Sequence, residues 1–252
     1  MTSTPAFNDR FSGSAQQYQR YRPIYPPELF TFLAASTRGH ERAWDCATGN
    51  GQCALGLTEH YRRVYATDAS SRQLEMAPYH PRITWNTATA EHSMAPDHAF
   101  DLVTAAQSAH WFDHNRFYHE VRRVLRPGGV IAVWAYDLPV VNPETDSLVR
   151  HLYHDILGSY WQPEIRHISN RYRTLPFPFR KLSVPPFIMT AHWTCNEFIR
   201  YIETWSAAVT YRESRKASPL ESIHAQLEHS WKAPGKRQVV RWPLIVLAGR
   251  TT

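Results

Sequence analysis

The chain has 252 residues, of which 43% are hydrophobic and 20% charged, with a formal net charge of +6. That is enough chain for one large domain, or for a core carrying an elaborated cap. Its best apolar stretch, the seven residues of VIAVWAY, falls far short of the roughly 18 that a membrane-spanning helix needs, so no membrane span is expected.

The amino terminus, MTSTPAFNDRF, has no basic region leading into an apolar run, and Cys46, Cys53 and Cys195 show no C-x-x-C spacing. No secretory signal or disulfide frame is therefore expected, and the cytoplasm is the expected location. Residues 1–137 carry 13 Lys and Arg against 13 Asp and Glu, whereas residues 138–252 carry 15 against 9. The basic surplus in the second half fits either an anionic ligand or a solvated basic face.

In chain order, Pro26 and Pro27 open an amphipathic helix, PPELFTFLAAS, with Leu29, Phe30 and Leu33 on one face. RAWDCA and RRVYATDAS read as short buried strands, with a helix from Gly51 to His60 between them. RITWNTATAE is a third strand and FDLVTAAQ a fourth. Asp113 is placed to cap the helix DHNRFYHEVRRVLR, and Pro127, Gly128 and Gly129 are expected to stop it. The apolar run VIAVWAYD suits a central strand covered on both faces. Strands alternating with helical crossovers imply an open parallel sheet.

Beyond Asp137 the chain becomes rich in proline, aromatics and arginine up to about Pro186, with one helix expected near Glu144 to Leu157. NEFIRYIETWSAAV and SPLESIHAQLEHSW read as two further helices, and QVVRWPLIVLAGR as a closing strand.

Ligands of such sheets bind beyond the carboxyl ends of the strands, and the first strand-to-helix turn is the one that meets them. Gly49 and Gly51 sit at that turn, where a missing Cβ permits positive φ and close backbone approach. A phosphate-binding loop of the G-x-x-x-x-G-K-[ST] type is excluded, because Leu57 stands at the lysine position. A dinucleotide loop is partly matched, since Asp68 lies 19 residues beyond Gly49. However, Asp45 would repel a pyrophosphate, and suits an ammonium instead.

Together DCATGNG, YATDAS, ATAE, FDLVTAAQSAHWFD and VLRPGGVIAVWAYD, in this order, resemble the motifs of the class I methyltransferases that use S-adenosylmethionine. Alanine stands at Ala47, where that family's first motif carries its first glycine. YQRYRPIYP, AHWF and WSAAV look like the type 11 branch of small-molecule enzymes that contains trans-aconitate methyltransferase.

This resemblance implies an α/β, Rossmann-like, doubly wound sheet of seven mostly parallel strands with a small helical and aromatic cap. It implies one methyltransferase domain over residues 1–252: a lid segment at 1–40, the cofactor-binding core at 41–137, a cap insertion at 138–186, and C-terminal helices and last strands at 187–252. S-adenosyl-L-methionine is the implied cofactor. Its implied contacts are Tyr18 and Arg22 in the lid, and Asp45, Ala47, Gly49 and Gly51 at the first loop. Further along they are Asp68 and Ala69 after the second strand, Ala90 and Glu91 after the third, and Gln107 and Trp111 after the fourth.

His110 is the candidate base for an acceptor that needs one, because imidazole titrates near neutral pH. Tyr25, Phe112 and Trp205 are the candidate acceptor contacts. No metal is expected, since His110, His114 and His119 complete no ligand signature. The basic residues Arg166, Arg171, Arg173, Arg180 and Lys181 of the cap favour an anionic acceptor. The reaction they suggest is O-methylation of a small organic acid. The alternatives are a nucleic-acid or protein methyltransferase, although no N-P-P-[YF] tetrad follows the fourth strand, or a non-catalytic cofactor-binding protein. Oligomeric state is left open.

Overall fold

The computed structural model describes residues 22–232 and 235–251. Strands β1 (Arg42–Cys46), β2 (Arg63–Asp68), β3 (Ile83–Thr87), β4 (Phe100–Ala106) and β5 (Leu125–Tyr136) all run parallel. They lie side by side in the order β3-β2-β1-β4-β5. Parallel neighbours need crossovers that cover both faces, so β4 and the length of β5 from Val130 onward are buried almost throughout. After β1 the chain winds outward to β2 and β3, then crosses back to β4. This reversal between β1 and β4 leaves a crevice at their carboxyl ends.

Residues alternate between the two faces along each strand. On β5, Val130, Ala132, Trp134 and Tyr136 join the apolar cluster containing Leu29 and Leu33, while Ile131, Val133 and Ala135 join the one containing Phe117 and Val121. Helix α1 (Pro27–Ser36) supplies the first cluster with Leu29, Phe30 and Leu33. Helix α2 (Gln52–Leu57) adds Cys53, Ala54 and Leu57 to it. The short α3 (Ser71–Glu75) follows β2. Helix α4 (His114–Val124) covers the opposite face, and the Asp113 side chain caps it by accepting the Arg116 N–H at 3.2 Å.

Expectation and structure differ in several boundaries. The expected helix stop at Pro127 to Gly129 lies inside β5, because Leu125 already pairs with Phe100 and the register shifts before Leu102 meets Val130. Among the described residues the expected sheet counts eight strands, one of them only two residues long. β8 (Gln238–Arg250) runs antiparallel to β5, and two strands not expected as such, β6 (Arg180–Lys181) and β7 (Ile188–Trp193), both pair with β8. β8 pairs with β7 through Pro243 and with β5 from Leu244 onward. Proline, which has no N–H to give a ladder, thus sits where the strand changes partner.

Between β5 and β8 the chain forms α5 (Pro143–His151), a π turn at Leu152–Ile156, α6 (Arg166–Ser169), α7 (Cys195–Glu203), α8 (Ser206–Arg215) and α9 (His224–Ser230). The single helix expected over 196–209 is broken at Thr204 and Trp205. Trp205 adopts an extended conformation before α8 and buries its indole.

A buried carboxylate fastens α4 to the segment after β3. Glu120 accepts from the Ser93 N–H at 2.8 Å, from the Ser93 hydroxyl, and from Arg123 at 2.7 and 2.8 Å. Arg123 also reaches Asp97 at 2.6 Å and the Ala95 carbonyl at 2.8 Å. Although burial opposes ionisation, the hydrogen bonds from Arg123 and Ser93 hold the Glu120 carboxyl down at about 2. The ionised form therefore stabilises the fold fully above the ordinary value of 4.5, and this contribution is lost as the pH falls toward about 2. Urea unfolding of Glu120→Gln is expected to show a stability deficit at about pH 6 that narrows toward pH 2; a deficit independent of pH contradicts this account.

Gly51 precedes α2 with φ +90°, and a Cβ there would lie 2.3 Å from the Trp85 ring. Gly51→Ala is expected to cost about 1–3 kcal/mol, read from the shift in urea midpoint. A change near zero would show that Trp85 moves aside freely.

Candidate functional site

The β1 exit is a loop held in an unusual backbone conformation. Ala47 and Gly49 adopt φ of +51° and +59°, and the Thr48 N–H donates to the Thr67 carbonyl at 2.9 Å. For Ala47, which has a Cβ, the left-handed region costs roughly 1–2 kcal/mol, so neighbouring contacts must impose it. Two acids do this. Asp68, the last residue of β2, accepts from the Gly49 N–H at 2.8 Å and from the Ser70 N–H at 2.9 Å. It thereby links the exits of β1 and β2.

The second acid, Asp45, is expected near a ligand's amino group, directly or through water; here it is fully buried and does not itself line the cavity described below. The Thr48 hydroxyl donates to one oxygen of its carboxylate and the Thr104 hydroxyl to the other, the latter at 2.7 Å. Burial pushes this carboxyl up, and the hydrogen bonds from Thr48, Cys53 and Thr104 pull it back. The physical reason is strand alternation: Asp45 faces α2 from within β1, whereas the cavity lies beyond the strand ends. Gly51 turns its missing Cβ toward Trp85 and is not among the residues that line the cavity.

A cavity of about 820 Å³ occupies the crevice at the strand ends. Ala47, Gly49, Asp68 and Ala69 line it from β1 and β2, and Ala90 and Glu91 from the segment after β3. Gln107, His110, Trp111 and Phe112 line it from the β4 exit. Arg22 and Tyr25 enter from the segment before α1, and Trp205 from the cap. Tyr18 lies outside the described residues.

The β4 exit is clamped to β5. Gln107, at φ +55°, accepts from the Tyr136 N–H at 3.0 Å and donates to the Tyr136 carbonyl at 3.2 Å, so its amide is engaged with backbone. His110 is buried on the one-turn helix Ala109–Trp111, with Nδ1 3.2 Å from the Tyr172 hydroxyl and its ring 4.7 Å from that of Trp111. Burial, with lesser contributions from His167 and His114, brings its imidazole down to about 3. The Arg22 guanidinium donates to the Tyr136 hydroxyl at 2.7 Å and to the Thr204 carbonyl at 3.4 Å, and lies 5.5 Å above the Tyr201 ring.

The cap contributes differently from expectation. Arg166, Arg171, Arg173, Arg180 and Lys181 are all exposed, and none lines the cavity. Instead the cap and the β5 exit bring two carboxylates, Glu164 and Asp137, together with Tyr153, Trp161 and Tyr201. The sequence reading does not single these out. Asp137 carried a signal, because it directly follows an apolar strand just as Asp68 does. The aromatic residues carried none, since their meeting depends on how the cap folds back. In all, the acids Asp68, Glu91, Asp113, Asp137 and Glu164 line the cavity, against the cations Arg22 and Arg116. That set suits hydroxyl and amino groups and lacks the clustered donors that a phosphate chain needs.

Comparison with known proteins agrees with this chemistry. Residues 44–133 match the profile of a methyltransferase domain family. A solved structure from Anaeromyxobacter dehalogenans, described as a type II methyltransferase, superposes with a TM-score of 0.86 at 42% identity, covering 91% of this chain and 98% of that one. A Dictyostelium discoideum protein named as a methyltransferase is 27% identical over 90% of this chain and 88% of its own length. An uncharacterized methyltransferase of Mycobacterium tuberculosis is 28% identical over 96% and 95%. With the sheet reversal, the Asp68-linked loops and near full-length relatives in agreement, this chain belongs to the class I S-adenosylmethionine-dependent methyltransferases.

Proposed function

We propose that the methyl acceptor is a small molecule, bound in the same cavity as the cofactor beneath Tyr153, Trp161 and Trp205. The observation that carries this reading is the continuity of one 820 Å³ space from the Asp68 loop to those aromatic residues, a size within the range of small-ligand pockets. When bound, the cofactor supplies a methyl group already activated by its sulfonium. The chain's own task is then to orient, desolvate and, where required, accept a proton.

In this reading Asp68 accepts hydrogen bonds from the ribose hydroxyls, and the backbone of Ala47 and Gly49 approaches the amino-acid portion, with Ala69 beside it. Ala90 and Glu91 border the adenine. Arg22, whose planar guanidinium can donate two parallel bonds, takes the cofactor's carboxylate. Gln107 holds the β4 exit, and Trp111 and Phe112 stand beside the sulfonium, where aromatic faces favour positive charge. Tyr25 and Trp205 are assigned to the acceptor. The reading includes a reducing compartment such as the cytoplasm, supported by three buried free cysteines.

The role given to His110 changes. With its imidazole held near 3 by burial, it is neutral at pH 7 and a poor proton acceptor, so it acts as a hydrogen-bonding partner of Tyr172. The organic-acid acceptor also loses the support of the five cap cations, which lie outside the cavity. A nucleic-acid acceptor is disfavoured by the excess of lining carboxylates, which would repel phosphates.

Two measurements test the reading. Calorimetry with S-adenosylhomocysteine is expected to show binding that Asp68→Ala weakens by about 10- to 100-fold. Unchanged affinity in a variant that still melts cooperatively removes Asp68 from the site. NMR titration of the His110 ring is expected to show no protonation between about pH 5 and 8; a midpoint near the ordinary 6.5 returns His110 to the role of base. Methyl transfer from labelled cofactor to RNA or protein, with none to a panel of small acids, alcohols and amines, would reject the small-molecule reading.

A further inference from the structure

We propose that the acceptor is an amine, recognised by the Asp137 carboxylate together with the aromatic wall of Tyr153, Trp161 and Trp205. This inference rests on the small-molecule reading above.

Asp137 follows the last residue of β5 and lines the cavity while half-buried. Among the described residues it forms no ion pair, and its recorded hydrogen bond is with the backbone of Leu138. The three aromatic residues are in mutual contact. Ring centroids are 4.6 Å apart for Tyr153 and Trp161, 5.8 Å for Trp161 and Trp205, and 6.1 Å, edge to face, for Tyr153 and Trp205. The Trp161 indole N–H donates to the Tyr153 carbonyl at 3.0 Å, which fixes the pair. Asp137 is close enough for its charge to help push the Tyr153 phenol up. Glu164 lines the same roof.

Carboxylate beside aromatic faces is the environment in which an ammonium binds best, since both the anion and the ring quadrupoles attract it. A carboxylate acceptor would meet repulsion from Asp137, and in a partly dry cavity that repulsion exceeds its value in water. Arg171 and His154 act on Asp137 and favour its ionised form, but neither lines the cavity where an acceptor would sit. Arg22, the nearby lining cation, is turned to Tyr136, Thr204 and Tyr201.

The same acid completes the chemistry. An ammonium must lose a proton before it can accept a methyl group, and burial raises the Asp137 carboxyl, so it takes that proton more readily than an exposed aspartate. The freed nitrogen lone pair then forms the new N–CH3 bond as the C–S bond breaks, with its electron pair passing to sulfur. The product leaves as a methylammonium, and Asp137 returns its proton to water.

The test is calorimetry on the chain saturated with S-adenosylhomocysteine, using 2-phenylethylamine, 2-phenylethanol and 3-phenylpropionate as probes of similar size and different charge. The amine is expected to bind about tenfold or more tighter than the acid, and Asp137→Asn to remove that preference. In the same variant S-adenosylhomocysteine affinity is expected to stay within about twofold, which separates acceptor recognition from a general loss of structure. The inference is overturned if the acid binds better than the amine, if none of the three binds, or if Asp137→Asn leaves amine affinity unchanged. A probe other than the amine binding alone overturns only this inference and leaves the small-molecule reading standing. Methyl transfer confined to macromolecules brings down both.

Discussion

The site depends on a carboxylate buried beneath its first loop. Asp45 is sealed beneath the β1 exit, where Thr48 donates to it from the loop and Thr104 from β4. A buried carboxylate without partners is costly, so these hydroxyls are drawn in tightly and the loop loses its freedom. Thr48 is thereby fixed between Ala47 and Gly49, both of which have left-handed φ. Once the loop is set, the Gly49 N–H is presented to Asp68, and the exits of β1 and β2 move as a unit. The conformation that a glycine would adopt easily at position 47 is imposed on alanine by this arrangement.

The second constraint is the reversal of strand order. Because β4 returns to the other side of β1, the ends of β1, β2 and β4 surround one crevice, and β5 adds Tyr136 and Asp137 at its rim. Gln107 ties the β4 end to the β5 end through both atoms of its amide, which keeps that rim in register. The cap then closes over it, with the break at Trp205 turning an indole against Tyr153 in the aromatic group that lines the cavity. Strand ends place the polar groups and the cap places the apolar ones.

Charge shows why counting residues differs from placing them. The whole basic surplus lies in residues 138–252, and the simple inference is an anion in the cap. Long Arg and Lys side chains, however, gain most by keeping their charged ends in water. The five cap cations named above are accordingly exposed. Asp137 and Glu164 are shorter and belong to segments that fold against the cavity, so the minority sign lines it.

Local order was legible from the amino-acid string wherever neighbours in sequence are also neighbours in space. The apolar runs of β1 to β5 announced a parallel sheet, Asp113 announced a helix start, and the glycine-containing turn between β1 and α2 marked the ligand end, with Asp68 beside it. Tertiary structure alone decided that Asp45 points inward, that Gly51 makes room for Trp85, and that His110 is buried against Tyr172. It also decided that Asp137, Tyr153, Trp161 and Trp205, distant in sequence, line one cavity. The reason is physical: periodicity reports which face of an element is apolar, whereas burial, pKa and ligand contact depend on what is packed against it from far along the sequence.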